Sequence, residues 1–137
     1  MMQKNHIAVR FSALSQNESF ARVVVGSFAA QLNPTISELA DIKTSVSEAV
    51  TNAVIHGYSG ERGDIEIEAT LERNELFLTV RDNGRGIDDV ERAREPFYTT
   101  SSGDDRSGMG FTVMETFMDK LEVESSAGNG TTLRMSK

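Results

Sequence analysis

Ile7, Val9 and Phe11 alternate with Ala8, Arg10 and Ser12 near the start of the chain, a period-two pattern that predicts a short strand with one buried side. The spacing then becomes helical. Ser15 followed by Glu18 has the form of a capping box, and Phe20, Val23, Val24, Ser27 and Phe28 recur on one side until Asn33-Pro34. That side is expected to pack inward, leaving Arg22, Val25 and Ala29 outside it, with Val25 and Ala29 as exposed apolar surface. Thr35 with Glu38 repeats the capping box and opens a longer helix that runs to His56, where Gly57 is expected to close it in the left-handed conformation.

After a loop from Tyr58 to Gly63, Ile65, Ile67, Ala69 and Leu71 alternate with polar residues, Arg73-Asn74 makes a turn, and Leu76, Leu78 and Val80 alternate again. This predicts an antiparallel hairpin that delivers Arg81-Asp82-Asn83-Gly84-Arg85-Gly86-Ile87 at its end. Periodicity is lost from 88 to about 107, a stretch broken by Pro96 and containing Ser101-Ser102-Gly103-Asp104-Asp105. A loop of that length in a small domain is functional or disordered. Gly108-Met109-Gly110-Phe111 then enters an amphipathic helix with Phe111, Met114, Phe117 and Met118 on its apolar side. A last hairpin pairs Leu121, Val123 and Ser125 with Thr131 to Ser136 across Gly128-Asn129-Gly130. With no repeat and no linker, the pattern predicts one domain over 1–137. Its expected fold is an α/β two-layer sandwich, a mostly antiparallel mixed sheet covered on one face by three helices.

Composition narrows the function. A chain of 137 residues can bury a proper core unaided. It has no cysteine, which removes disulfides and thiol chemistry and favours a cytoplasmic location. No stretch has the length of a membrane span. The formal charge of -7 argues against direct nucleic-acid binding, so any polyanion must be held by locally placed donors.

Three polar clusters carry candidate chemistry. Glu48, Asn52 and His56 are spaced i, i+4, i+8 and drift only about 40° per step on a helix, forming a stripe beside the apolar Val46, Ala49, Val50, Ala53 and Val54. The carboxylate can take a proton, and the carboxamide oxygen is a neutral ligand that Mg²⁺ accepts when substrate phosphates complete its shell. Asp82 at a strand end can accept from an exocyclic amine such as that of adenine, and the following glycines let backbone approach a ligand. Gly108-Met109-Gly110 at a helix start presents N–H groups suited to phosphate oxygens. Arg85, Arg92, Arg94 and Arg106 can add charge nearby, and Thr131 and Thr132 can place a hydroxyl near a base. Taken singly, these are equally a solvated helix face, a plain turn and a flexible helix entry.

In this order, Glu-x-x-x-Asn-x-x-x-His, Asp-x-Gly-x-Gly, a long loop, Gly-x-Gly-Phe and Gly-Thr-Thr resemble the ATP-binding domain shared by gyrase, the Hsp90 chaperone, histidine kinases and the MutL repair protein. The wording Ser-Glu-Ala-Val-Thr-Asn-Ala-Val-Ile-His-Gly at 47–57, the opening at 11–22 and Ser-Gly-Met-Gly-Phe at 107–111 resemble more narrowly the anti-sigma serine kinases of spore-forming bacteria. The resemblance implies ATP or ADP with Mg²⁺ as ligands. Asn52 would hold the metal and Glu48 would be the general base. Asp82 would bind the adenine amine with Thr132 helping through water, and Gly84, Gly86 and Ile87 would shape the pocket floor. Thr99, Ser107, Gly108, Met109, Gly110 and Phe111 would line the phosphate side, His56 would lie near phosphate or ribose, and 88–107 would be a lid. Arg106, beside Ser107, is inferred from position to meet the γ-phosphate. The implied partners are a sporulation sigma factor, an anti-anti-sigma protein as serine substrate, and a second copy in a homodimer using the first strand and helix. The alternative is a nucleotide-hydrolysing or nucleotide-gated binding module without kinase activity. A histidine-kinase core would need a phosphoacceptor histidine in a helical hairpin, and the only histidines are His6 and His56.

Overall fold

The computed structural model describes residues 4–58, 61–87, 89–90, 94 and 110–137. Thr99, Arg106, Ser107, Gly108 and Met109 lie outside the described residues, as does the expected lid at 88–107 apart from 89, 90 and 94. Five strands, β1 (Asn5–Ser12), β2 (Asp64–Glu72), β3 (Glu75–Asp82), β4 (Lys120–Ser125) and β5 (Thr131–Ser136), form one sheet in the order β1-β2-β3-β5-β4. All four described pairings are antiparallel, so the parallel element implied by a mixed sheet does not occur among the described strands. Three α-helices, α1 (Asn17–Ala29), α2 (Ile36–Thr51) and α3 (Gly110–Phe117), cover one face. The expected two-layer sandwich is the observed one.

The β2–β3 hairpin turns on Arg73 and Asn74, both at positive φ (53° and 64°), the geometry whose twist matches that of paired strands. Its register pairs Ile67 with Val80 and Ala69 with Leu78, so one parity of each strand faces the helices and is buried. Ile65, Ile67, Leu78, Val80, Leu133 and Met135 meet Val25, Phe28, Val46, Val50 and Met114 in a continuous core. Burying an aliphatic side chain of this size is worth roughly 1.5–3 kcal/mol.

α2 begins as expected: the Glu38 N–H donates to the Thr35 hydroxyl at 3.0 Å and the Thr35 N–H donates to Glu38 Oε1 at 2.8 Å. α1 departs from expectation twice. Its first residue is Asn17 and its N-cap is Gln16, without a side-chain cap bond, so Ser15 lies too early to form a box with Glu18. Its buried face is Ala21, Val25, Gly26, Phe28 and Ala29. Val25 (0 % exposed) and Ala29 (1 %) are core, whereas Phe20 (49 %) and Val23 (66 %) face outward. The reason is packing distance: small residues let α1 approach α2 closely, and a Cβ at Gly26 would lie 2.6 Å from the Lys43 side chain laid over it. Phe20 packs edge-to-face on Phe11 at 6.2 Å instead.

α3 is held at its far end by Lys137, whose Nζ donates to the Phe117 carbonyl at 2.6 Å and lies 3.7 Å from Asp41 of α2. A cation suits the exposed carbonyls of a helix C-terminus.

Candidate functional site

α2 passes after Thr51 into a six-residue π-turn, Asn52–Gly57, marked by the Tyr58 N–H donating to the Ala53 carbonyl at 2.9 Å. Such wide turns inside helices recur at functional sites. Glu48 and Asn52 remain one α-helical turn apart, but the uniform drift expected as far as His56 does not extend through the π-turn. Gly57 is not left-handed, contrary to expectation; among the described glycines, positive φ is confined to Gly86, Gly128 and Gly130. What Gly57 supplies is space, since a Cβ there would lie 3.0 Å from Asp82 Oδ1.

The start of the π-turn meets α3. A Cβ on Gly110 would lie 3.2 Å from Glu48 Oε2 and 3.3 Å from both carboxamide atoms of Asn52. Thus the first residue of α3 stands against the two side chains expected to carry the chemistry. Asn52 Nδ2 is buried without a hydrogen-bond partner among the described residues, a group that a ligand can satisfy. Phe111, the next residue of α3, is buried.

The end of the π-turn meets the turn after β3. Gly84 lies so near Gly57 that a Cβ on it would overlap the Gly57 carbonyl. Asp82 is 7 % exposed and accepts from the Gly84 N–H at 2.8 Å. Burial raises its carboxyl above the usual aspartate value of 3.8, opposed by hydrogen bonds from the backbone of Gly84 and Thr131. Tyr58 fixes the same turn, its hydroxyl donating to the Asp64 carbonyl at 2.7 Å and accepting from the Asn83 N–H at 2.8 Å.

Register decides which threonine joins this group. Asp82 stands opposite Thr131, while Thr132 stands opposite Arg81 on the face away from the helices. The structure therefore brings Thr131 to Asp82 and does not bring Thr132 there. Ser125, which the sequence did not single out as a site residue, is the hub of the pocket wall. Its hydroxyl donates to the Gly130 carbonyl at 2.7 Å, accepts from the Ile87 N–H at 2.8 Å and lies 2.9 Å from Thr131 Oγ1. With its one proton committed to Gly130, Ser125 must accept from Thr131, which leaves the Thr131 oxygen free to act as an acceptor. Gly86, at φ 77°, has no room for a side chain against the Ser126 carbonyl. His56 is half-buried, and its carbonyl accepts from Arg85 Nε at 2.7 Å. The clusters, far apart in sequence, thus meet at the two ends of one π-turn.

Among the described residues no group of three or more His, Cys, Asp or Glu is placed to hold a metal. A metal at Asn52 would have to complete its shell from a ligand's oxygens, which is the habit of Mg²⁺ bound with phosphates. No helix among the described residues is long and apolar enough to cross a membrane.

The model of the histidine kinase-like ATPase domain matches residues 11–137. An anti-sigma F factor of Thermoanaerobacter sp. (strain X514) is 56 % identical over 137 residues, 100 % of this chain and 96 % of its own length. That of Bacillus subtilis (strain 168) is 57 % identical over 135 residues, 98 % of this chain and 92 % of its own length. In structure, the catalytic domain of histidine kinase ThkA superposes with TM-score 0.58 at 19 % identity, covering 95 % of this chain and 94 % of that one. The mycobacterial sensor histidine kinase MprB superposes at 0.59 with 16 % identity and 96 % coverage of both. These two likenesses concern the fold.

Proposed function

The chain belongs to the histidine kinase-like ATPase family, among its anti-sigma F factors, and from that premise we propose that it is an ATP-dependent protein serine kinase as well as an anti-sigma factor. It sequesters a sporulation sigma factor of the F type and phosphorylates a serine on an anti-anti-sigma protein, so that the two partners exchange on one nucleotide-dependent surface. The observation that carries this reading is the placement of Glu48 and Asn52 under Gly110, with Asp82 at the other end of the same π-turn.

In this reading Asp82 accepts from the exocyclic amine of adenine, directly or through water, and Thr131 offers its hydroxyl oxygen on the same side. The Asn52 carboxamide oxygen would hold Mg²⁺, which when bound screens the charge of the phosphate chain. The N–H groups opening α3 face phosphate oxygens. Glu48 takes the proton of the acceptor serine as that oxygen bonds to the γ-phosphorus; the bond from γ-phosphorus to the bridging oxygen breaks and ADP leaves. Thr99, Arg106, Ser107, Gly108 and Met109 complete the phosphate side, with 88–107 as lid, and His56 lies toward phosphate or ribose. The partner surface centres on exposed Arg22 with Phe20 and Val23 beside it on α1, and β1 with α1 forms a homodimer contact.

One experiment separates kinase from hydrolase: ATP labelled on its γ-phosphate, incubated with and without the acceptor protein. The expected result is label on an acceptor serine. Release of phosphate with no labelled acceptor would leave a bare nucleotide hydrolase. Glu48→Gln is expected to keep ADP affinity and to lose transfer by roughly 10²–10⁴ in single turnover; unchanged transfer removes Glu48 from the mechanism. Charge reversal at Arg22 is expected to weaken partner capture with nucleotide affinity unaltered.

A further inference from the structure

The carbonyls at the end of a helix have no partners within it and need them from elsewhere. At the end of the π-turn one residue supplies two of them. The Arg85 N–H donates to the Gly57 carbonyl at 2.8 Å, and Arg85 Nε donates to the His56 carbonyl at 2.7 Å. The Arg85 carbonyl in turn accepts from the Gly128 N–H at 2.6 Å, in the turn between β4 and β5. Arg85 thereby joins three segments: the π-turn that begins at Asn52, the turn that begins at Asp82, and the turn that leads to Thr131. Its charge also lies at a helix C-terminus, where a cation is favoured.

We propose that Arg85 is a positioning residue for nucleotide binding: its side chain holds the π-turn in shape and so sets where Asn52 stands relative to Asp82. This rests on the nucleotide-binding reading above. The two halves of the site are fastened unequally. Asp82 and its turn keep the backbone bond from Arg85 to Gly57 and the two bonds of Tyr58 whatever the side chain at 85. The His56 carbonyl, within the π-turn itself, accepts from the guanidinium. Loss of that donor lets the π-turn relax toward ordinary helix, which changes the separation of Asn52 from Asp82 while the backbone and Tyr58 bonds keep the Asp82 turn in place. The benefit of Mg²⁺, which must reach Asn52 and the phosphates together, is then lost before the affinity for the base.

The test is calorimetric binding of ADP with and without Mg²⁺ to the full chain and to Arg85→Met, with thermal unfolding of the unliganded proteins alongside. In the wild-type chain Mg²⁺ is expected to tighten ADP; no ADP binding there would overturn the nucleotide reading itself. In Arg85→Met the factor gained from Mg²⁺ should fall about tenfold while metal-free ADP affinity changes less than about twofold and the unliganded Tm moves little. Arg85→Lys, whose ammonium can still donate to a carbonyl, should recover part of the factor, and it carries the comparison if the Met variant does not fold. An unchanged Mg²⁺ factor in the substituted chain overturns the proposal. So does an equal loss with and without metal, which would mark Arg85 as a direct phosphate contact, and so does a Tm loss with the factor intact, which would mark it as structural only.

Discussion

Gly110 stands close against Asn52: a methyl group there would lie 3.3 Å from both the oxygen and the nitrogen of the carboxamide. The first residue of α3 thus closes the cleft in which the amide sits. Gly110→Ala is expected to leave the fold intact, since alanine is the better helix former by about 1 kcal/mol. The added methyl should crowd Asn52 and Glu48 and lower Mg²⁺-ADP affinity roughly tenfold, about 1.4 kcal/mol. Calorimetric titration beside a melting curve checks both halves, and an unchanged Kd would mean that the ligand does not use this cleft.

Asp82 gives a prediction in pH. Burial raises its folded carboxyl above the unfolded value of 3.8, so the folded state binds that proton more tightly. The stability this contributes is fully present below the unfolded value and is lost as pH rises through the raised folded one. Asp82→Asn, with no charge to bury, should therefore be more stable than the wild-type chain at neutral pH, with the gap closing as pH is lowered toward the unfolded value. Its nucleotide affinity should fall about ten- to a hundredfold, the worth of one hydrogen bond to a charged acceptor. Melting curves across pH in the absence of nucleotide, with one binding titration, give both readings; a constant stability gap would contradict the linkage.

The two adjacent threonines should behave differently. Thr131→Val removes the hydroxyl opposite Asp82 and the proton it gives to Ser125, and is expected to weaken ADP binding by about tenfold. Thr132→Val alters the far face of the sheet, opposite Arg81, and should stay within about twofold of wild type. Equal losses in the two variants would count against the register.

The phase of α1 is testable by stability alone. Val25→Ala removes two buried carbons, at about 0.8 kcal/mol each before any cavity penalty, and should destabilise by about 2 kcal/mol. Val23→Ala, on the exposed side, should stay within about 0.5 kcal/mol. Denaturant titration distinguishes them by a shift in midpoint at constant slope.

Much of this molecule was legible in one dimension because the signals are local. Alternation fixed β1, both hairpins and the inward parity of β2 and β3; Thr35 and Glu38 marked the start of α2 because a capping box needs only residues three apart. The spacing of Glu48 and Asn52 was enough to pair them on one helix flank. The phase of α1 was not legible. Val23, Val24 and Val25 are consecutive and equally apolar, and the choice among them was made by how closely Gly26 and Ala29 let α1 approach α2. Ser125 and Tyr58 gave no signal of their own, since their importance lies in partners 38 and 25 residues away.

By itself the sequence determined which residue types the site contains and which elements carry them, because period, capping and turn chemistry act over a few residues. The tertiary structure decided which residues meet. The β3–β5 register chose Thr131 over its neighbour, the π-turn brought Asp82 to the end of the helix that carries Asn52, and Arg85 fastened that turn. Those outcomes depend on pairing between strands about fifty residues apart and on contacts at helix ends, where neither hydrophobic period nor local propensity distinguishes one arrangement from the next.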